Sequence, residues 1–219
     1  MIITISREYG AGGSAVARRV ADALGWRVVD NELIDRVATR AGLPPEEVAQ
    51  KEERAPGFVE RLTRALARSS PESFPAPADK VPEPEEATLV RITEGVVAEI
   101  AAEGRIVMVG RAGPALLRGD HEALHVKLVA PVEARVRRLM EEGRTGGPAG
   151  PRTAAEVEKD VHEVDSNRAR YLKQYYRLDW TDPTNYHMVL NTGLLGLDGA
   201  AAVIIARAGT MWPGEPGGR

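Results

Sequence analysis

Ile2-Ile3-Thr4-Ile5-Ser6-Arg7-Glu8-Tyr9-Gly10-Ala11-Gly12-Gly13-Ser14 opens the chain, and the architecture is read outward from it. An apolar strand runs into a glycine-rich turn, and a helix is expected from the hydroxyl residue onward. Val16, Ala17, Val20, Ala21 and Leu24 recur at helical spacing, and Gly25 is well suited to end that helix. Set against the phosphate-loop pattern G-x-x-x-x-G-K-[ST], Gly12 and Ser14 fall in register, while Arg7 stands at the first glycine and Gly13 at the lysine. Clustered glycines let backbone N–H groups turn inward as an anion nest, and the positive end of the helix dipole adds to it. Gly10, Ala11, Gly12, Gly13 and Ser14 are therefore expected to cradle phosphate. The Ser14 hydroxyl is the expected magnesium contact, a hard oxygen beside phosphate oxygens. Arg7 is the nearest cation for the one missing at Gly13, although arginine reaches further and binds as a fork where lysine acts as a point charge.

Further along, β and α signals alternate. Arg27-Val28-Val29-Asp30 reads as a short strand, and Asn31 can cap a helix through Ile34, Val37 and Ala38. The charged stretch from Gly42 to Arg68 reads as helical with a break at Ala55-Pro56-Gly57. Five prolines between Ser69 and Glu86 suit a mobile loop. Helical spacing resumes from Leu89 to Ala102. Ile106 to Gly110 is the continuous apolar run of a buried parallel strand. Leu124 to Val129 is another strand, and Pro131 suits the first turn of a helix from Val132 to Glu142. A basic, glycine- and proline-rich loop from Gly143 to Pro151 precedes a long helix, Ala154 to Tyr176. Met188 to Asn191 closes the sheet, a last helix covers Ala200 to Ala206, and a loose tail is expected over residues 209–219. The expectation is one α/β domain, a parallel sheet covered by helices on both faces.

Composition narrows the function classes. With 219 residues and 43% hydrophobic content the chain can bury one substantial core. Against 32 acidic residues stand 29 basic ones, so there is no global basic field to hold a nucleic-acid backbone. The absence of cysteine excludes disulfides, zinc-thiolate sites and thiol nucleophiles. No signal peptide is expected at Met1 to Ile5, nor any run able to span a bilayer, so the reading is a cytoplasmic protein without nucleic-acid or membrane partners.

The candidate residues follow from position. Asp30 ends the second strand, where open α/β sheets place ligand contacts, and Arg36 follows with it as a candidate for holding the acceptor. Arg111, just beyond the buried strand Ile106 to Gly110, is well placed to hold a phosphate between donor and acceptor. Arg138 lies on the helix before the basic Gly143 to Pro151 loop and Arg144 inside that loop, which is expected to close over phosphates and exclude water. On the long helix, Asp165, Arg168 and Leu172 share a face, so Arg168 can look toward the phosphates with Asp165 orienting it. His121, His125, His162 and His187 lack ligand spacing, and Tyr171, Tyr175, Tyr176 and Trp180 read as packing.

Taken together, residues 3–13, Val28 to Ile34, Val109-Gly110-Arg111, Asp165 to Tyr171, Tyr175 to Tyr186 and Leu190-Asn191-Thr192-Gly193 resemble the cytidylate kinase-like family. The resemblance covers almost the whole chain and rests on the order and spacing of these motifs. It implies a P-loop kinase of the nucleoside-monophosphate kinase type. ATP would be the donor with Mg2+, an acceptor-binding insertion would lie near residues 40–90, an arginine-bearing lid would lie near residues 138–155, and a small nucleotide such as CMP or dCMP would accept the γ-phosphoryl group. On this resemblance Arg36 matches the acceptor-side arginine, Arg111 the phosphate-bridging arginine, and Arg168 the arginine after the lid. Arg7, Arg111 and Arg168 are then the candidates for offsetting charge during transfer. The chain departs from true cytidylate kinases in carrying Gly12-Gly13-Ser14-Ala15 for Gly-Lys-Gly-Thr, and Asp30-Asn31-Glu32 for Asp-Ser-Gly. Those departures leave two further readings, a kinase for another small acceptor and a nucleotide-binding regulator without transfer.

Overall fold

Ile2, Ile3 and Ile5 are almost wholly removed from solvent because β1 (Ile2–Arg7) is the middle strand of a five-stranded parallel sheet. The computed structural model describes residues 1–30, 40, 85–110, 113–143 and 152–214. Sheet order is β2-β3-β1-β4-β5, with β2 at Arg27–Val29, β3 at Ile106–Val109, β4 at Ala123–Val129 and β5 at Met188–Asn191. β1 pairs with β3 from Ile2↔Ile106 to Ile5↔Val109 and with β4 from Ile2↔Ala123 to Arg7↔Leu128. Parallel neighbours need crossover connections, which here are helical. The helices are α1 (Gly13–Leu24), α2 (Glu85–Glu103), the short α3 (Gly113–Leu116), α4 (Val132–Glu141), α5 (Ala154–Tyr176) and α6 (Thr192–Met211).

The chain divides into two compact units, Met1–Asp30 with Ile100–Arg219, and Asn31–Glu99. In the second unit the Arg40 guanidinium meets both carboxylate oxygens of Glu99 at 2.8 and 2.9 Å. In the first, α1 buries Val16, Ala17, Val20, Ala21 and Leu24 against the sheet and against Ala200, Ala201, Ile204 and Ala208 of α6. Full burial of each larger aliphatic side chain stabilises the fold by roughly 1.5–3 kcal/mol. Gly25 ends α1 at φ 66°, its N–H turned back to the carbonyls of Ala21 and Asp22. From β1 the chain leaves through α1 toward β2 on one side, whereas after β3 it crosses to β4 on the other. The reversal opens a crevice at the carboxyl end of β1.

Several boundaries differ from the sequence reading. α2 begins at Glu85, inside the end of the expected proline-rich loop. α6 starts eight residues before Ala200 because the Asn191 side chain caps it, accepting from the N–H groups of Gly193 and Leu194. Gly196, at φ 68° and ψ 173°, is a non-helical break that makes this stretch read as a loop. The tail does not begin at residue 209, because α6 continues to Met211 and Trp212 packs on Trp26 with ring centroids 5.3 Å apart. By length and composition α6 is also apolar enough to cross a membrane, contrary to the expectation of no such run. Its buried alanines and Ile204 form part of the core beside α1.

Candidate phosphate-binding cleft

The turn between β1 and α1 is held from outside by side chains that leave its inner edge open. Gly10 and Gly12 both sit at φ 81°, a conformation costly for residues with a Cβ. Every backbone carbonyl from Arg7 to Gly12 has a donor within the fold. Arg168 Nη1 donates to Arg7 O at 2.8 Å, the Ala11 N–H to Glu8 O at 3.1 Å, and Arg135 Nη1 to Tyr9 O at 3.3 Å. Arg138 Nη1 donates to Gly10 O at 2.7 Å, Thr192 Oγ1 to Ala11 O at 2.9 Å, and the Val16 N–H to Gly12 O at 3.0 Å. The first N–H groups of α1 have no acceptor within the helix by the geometry of any helix start. With these carbonyls engaged by the fold, the donors the turn can offer an anion are the first N–H groups of α1.

The outer supports come from the α4–α5 pair and are tied together by Asp165. Asp165 Oδ1 accepts from the Tyr9 N–H at 2.8 Å, Oδ2 accepts from Arg135 Nη1, and Arg168 Nη1 lies 3.8 Å away. Tyr9 packs on Val136, Leu139, Val157 and Val161, so the aromatic side chain of the turn belongs to the apolar seam between α4 and α5. The seam is anchored at the start of α5 by a capping box, the Thr153 hydroxyl accepting from the Glu156 N–H and the Glu156 carboxylate from the Thr153 N–H. Glu8 accepts from the Ala130 N–H at 3.0 Å and sits 3.6 Å from Arg135 Nε.

Above the turn is a cleft of about 400 Å³ lined by Arg7, Arg18, Arg138 and Arg168, with Gly10, Gly12, Gly13 and Ser14 on its floor and Glu8 and Glu142 on its wall. Four arginines against Glu8, Glu142 and the adjoining Asp30 give the cleft a positive balance suited to phosphate. At its floor the Ser14 hydroxyl donates to Asp30 Oδ2 at 2.6 Å, and Arg7 Nη2 lies 3.8 Å from the other Asp30 oxygen. The structure thus brings together Arg7, Gly10, Gly12, Gly13, Ser14, Asp30, Arg138 and Arg168 of the residues singled out in the sequence. Ala11 is buried and contributes its carbonyl to Thr192. Arg36, Arg111 and Arg144 lie outside the described residues, as do most of the expected insertion and proline-rich loop and residues 144–151 of the expected lid.

Glu8, Arg18, Arg135 and Thr192 line or support the cleft without having been assigned a role from the sequence. The i,i+3 pair Arg135–Arg138 and the i,i+4 pair Ser14–Arg18 would have placed two of them on the relevant faces. Lys127 of β4 is buried, donates to Trp180 O at 2.6 Å and lies 4.2 Å from the Trp180 ring centroid. Burial pushes its ammonium pKa below the ordinary lysine value, Glu8 and Asp165 opposing that shift. Trp180 in turn donates from Nε1 to Ser6 Oγ at 2.8 Å. The expected aromatic packing is present, since Tyr171 lies 5.0 Å from Tyr175 and 5.8 Å from Tyr176, and Trp180 packs with Leu172, Leu178 and Tyr186.

With this geometry in place, the match to a known family is informative: the model of the cytidylate kinase-like family covers residues 2–194. The chain belongs to that family. Among relatives of this cytidylate kinase-like chain is the cytidylate kinase of Natronomonas pharaonis, 24% identical across all of this chain and 95% of that one. The cytidylate kinase of Halobacterium salinarum is 27% identical over 94% of this chain and 88% of its own. Among solved structures, an uncharacterized protein from Eubacterium ventriosum superposes with a TM-score of 0.65 at 18% identity, covering 95% and 98% of the two chains. A shikimate kinase from Bacteroides thetaiotaomicron does so at 0.51 and 13% identity, covering 93% and 96%. The structural likenesses fix the fold as the α/β arrangement of P-loop kinases, and the family places this cytidylate kinase-like chain among nucleotide-binding phosphotransferase relatives.

Proposed function

We propose that the chain transfers the γ-phosphoryl group of ATP to a nucleoside monophosphate, with CMP or dCMP the first candidate acceptors. The observation that carries this reading is the turn itself: its carbonyls from Arg7 to Gly12 are engaged by the fold, and its inner edge faces a cleft lined by four arginines. Phosphoryl transfer asks a protein for positioning and for cations around spreading charge, and little else. Gly10, Gly12, Gly13 and Ser14 would cradle the donor phosphates, while Arg138 and Arg168 lean over them from α4 and α5. Cytidylate kinase relatives support CMP among the acceptors, and Arg36, Arg111 and Arg144 are assigned to the acceptor and lid sides by family resemblance alone.

Magnesium fits the oxygen donors present. Ser14 Oγ and the Asp30 carboxylate are hard ligands 2.6 Å apart at the floor of the cleft, and a few protein oxygens with phosphates and waters are the set this ion prefers. Held there, the ion would neutralise part of the charge on the phosphate oxygens. The chain's own part is to present the Ser14 hydroxyl at the helix start and to hold Asp30 beside it.

The test is ADP release from MgATP in the presence of CMP, dCMP, UMP, AMP, GMP and hydroxyl metabolites, one at a time. ADP formation dependent on CMP or dCMP is expected. Formation with only a non-nucleotide acceptor would transfer the assignment to a different small-molecule kinase. Gly13 in place of the lysine favours one rival, a nucleotide-binding regulator, and micromolar ATP binding without transfer to any acceptor would establish it.

A further inference from the structure

Gly13 and Arg7 fill each other's space. A Cβ built on Gly13 would lie 2.8 Å from Arg7 Cγ and 3.2 Å from both Arg7 Cβ and Cδ. Those are the middle of the arginine stem, so a side chain at 13 and the observed course of Arg7 exclude one another. The same two positions are the ones exchanged relative to the phosphate-loop pattern, which has glycine at the first and lysine at the second. Arg7 leaves the end of β1, passes over Gly13 and brings its guanidinium to the floor of the cleft beside Ser14, 3.8 Å from Asp30.

We propose that Arg7 is the phosphate-loop cation of this chain, transposed from position 13 to position 7, with the Asp30 carboxylate beside it. Resting on the kinase reading, it explains why the lysine is absent: a residue with a side chain at 13 would expel the arginine that does its work. The 3.8 Å separation is a loose ion pair, and the same carboxylate accepts the Ser14 hydroxyl at 2.6 Å. Asp30 therefore fixes the hydroxyl and lies beside the cation. Bidentate binding by a planar guanidinium would engage two phosphate oxygens where lysine engages by charge alone.

Reciprocal substitution tests the exchange. Affinity for a fluorescent ATP analogue with Mg2+ is measured in wild type, Arg7→Gln, Arg7→Gly, Gly13→Lys and the double variant Arg7→Gly/Gly13→Lys, with thermal unfolding of each as the measure of folding. Arg7→Gln keeps the stem over Gly13 and removes only the charge, so it is expected to stay folded and weaken binding about tenfold to a hundredfold. Arg7→Gly is expected to weaken binding likewise. Gly13→Lys alone is expected to weaken it too, since the two stems collide. The double variant, which restores the ordinary pattern at both positions, is expected to recover to within about tenfold of wild type. Retention of wild-type affinity in Arg7→Gln, or a double variant no better than the weaker single one, overturns the transposition while leaving ATP binding established. Absence of analogue binding by the wild type overturns the kinase reading and this inference with it.

Discussion

Asp165 shows how much of the cleft depends on one carboxylate. It takes the Tyr9 N–H and the Arg135 guanidinium on separate oxygens, with Arg168 close by, so the loop and both arginine supports share it. Arg135 is 5% exposed, and removing the charge of its partner leaves a guanidinium with little water to take over. Asp165→Asn preserves the shape and one acceptor for Tyr9, but its amide group meets Arg135 donor to donor. The expected cost is about 3 kcal/mol of unfolding free energy, read by urea denaturation. A loss under about 1 kcal/mol would mean the pair is not what holds the turn. ATP-analogue affinity is expected to fall as well, because Arg168 and Arg135 also take the carbonyls of Arg7 and Tyr9. Wild-type affinity in a destabilised Asp165→Asn would separate the two roles and refute the second.

At the level of elements, the α4–α5 pair is the support on which the loop rests, and much of it is legible in the sequence. The length of α5 is plain from its periodicity, and spacing alone places Asp165 and Arg168 on one face. What spacing cannot give is the partner: that Arg135 and Arg138 reach carbonyls 126 and 128 residues away in sequence, and that Tyr9 closes the seam. Arg7 is legible as a cation near the loop, whereas the clash that couples it to Gly13 exists only once β1 and α1 are placed in space. The start of α6 is obscured for a local reason, since Gly193, Gly196 and Gly199 outweigh the Asn191 cap that begins it. The capping box at the start of α5 gives an element-scale prediction. Thr153→Ala removes the acceptor for the Glu156 N–H and is expected to cost about 1 kcal/mol by chemical denaturation. If the first turn of α5 contributes to holding Asp165, ATP-analogue affinity falls only slightly, far less than in Asp165→Asn. An equal fall in both variants would contradict a support centred on Asp165.

Across the whole molecule the sheet joins two chemistries, the anion cleft at the carboxyl end of β1 and a neutral polar cluster inside the strands. His125 of β4 is buried between β1 and the residue that leads into β5. Its Nε2 faces Leu117 O at 3.2 Å, a group that can only accept, so Nε2 carries the proton and Nδ1 accepts from Thr4 Oγ1 at 2.8 Å. The His187 ring lies 5.2 Å away, its Nδ1 accepting from the His125 N–H. Burial is the main cause that holds the His125 pKa below the ordinary histidine value; His187 adds to the effect, and Leu117 O and Asp120 oppose it. A depressed folded pKa means the unfolded chain binds the proton first. The stability contributed by neutral His125 is therefore complete above the unfolded value, about pH 6.5, and is lost as pH falls through the lower folded value. Thermal midpoints are expected to be insensitive to this group from about pH 7 to 8 and to decline below about pH 6.5. His125→Gln keeps a donor and an acceptor without titrating, so its midpoint should start lower at about pH 7.5 and decline less steeply between about pH 6.5 and 5. Parallel declines in the two proteins would show that the acid sensitivity does not come from His125.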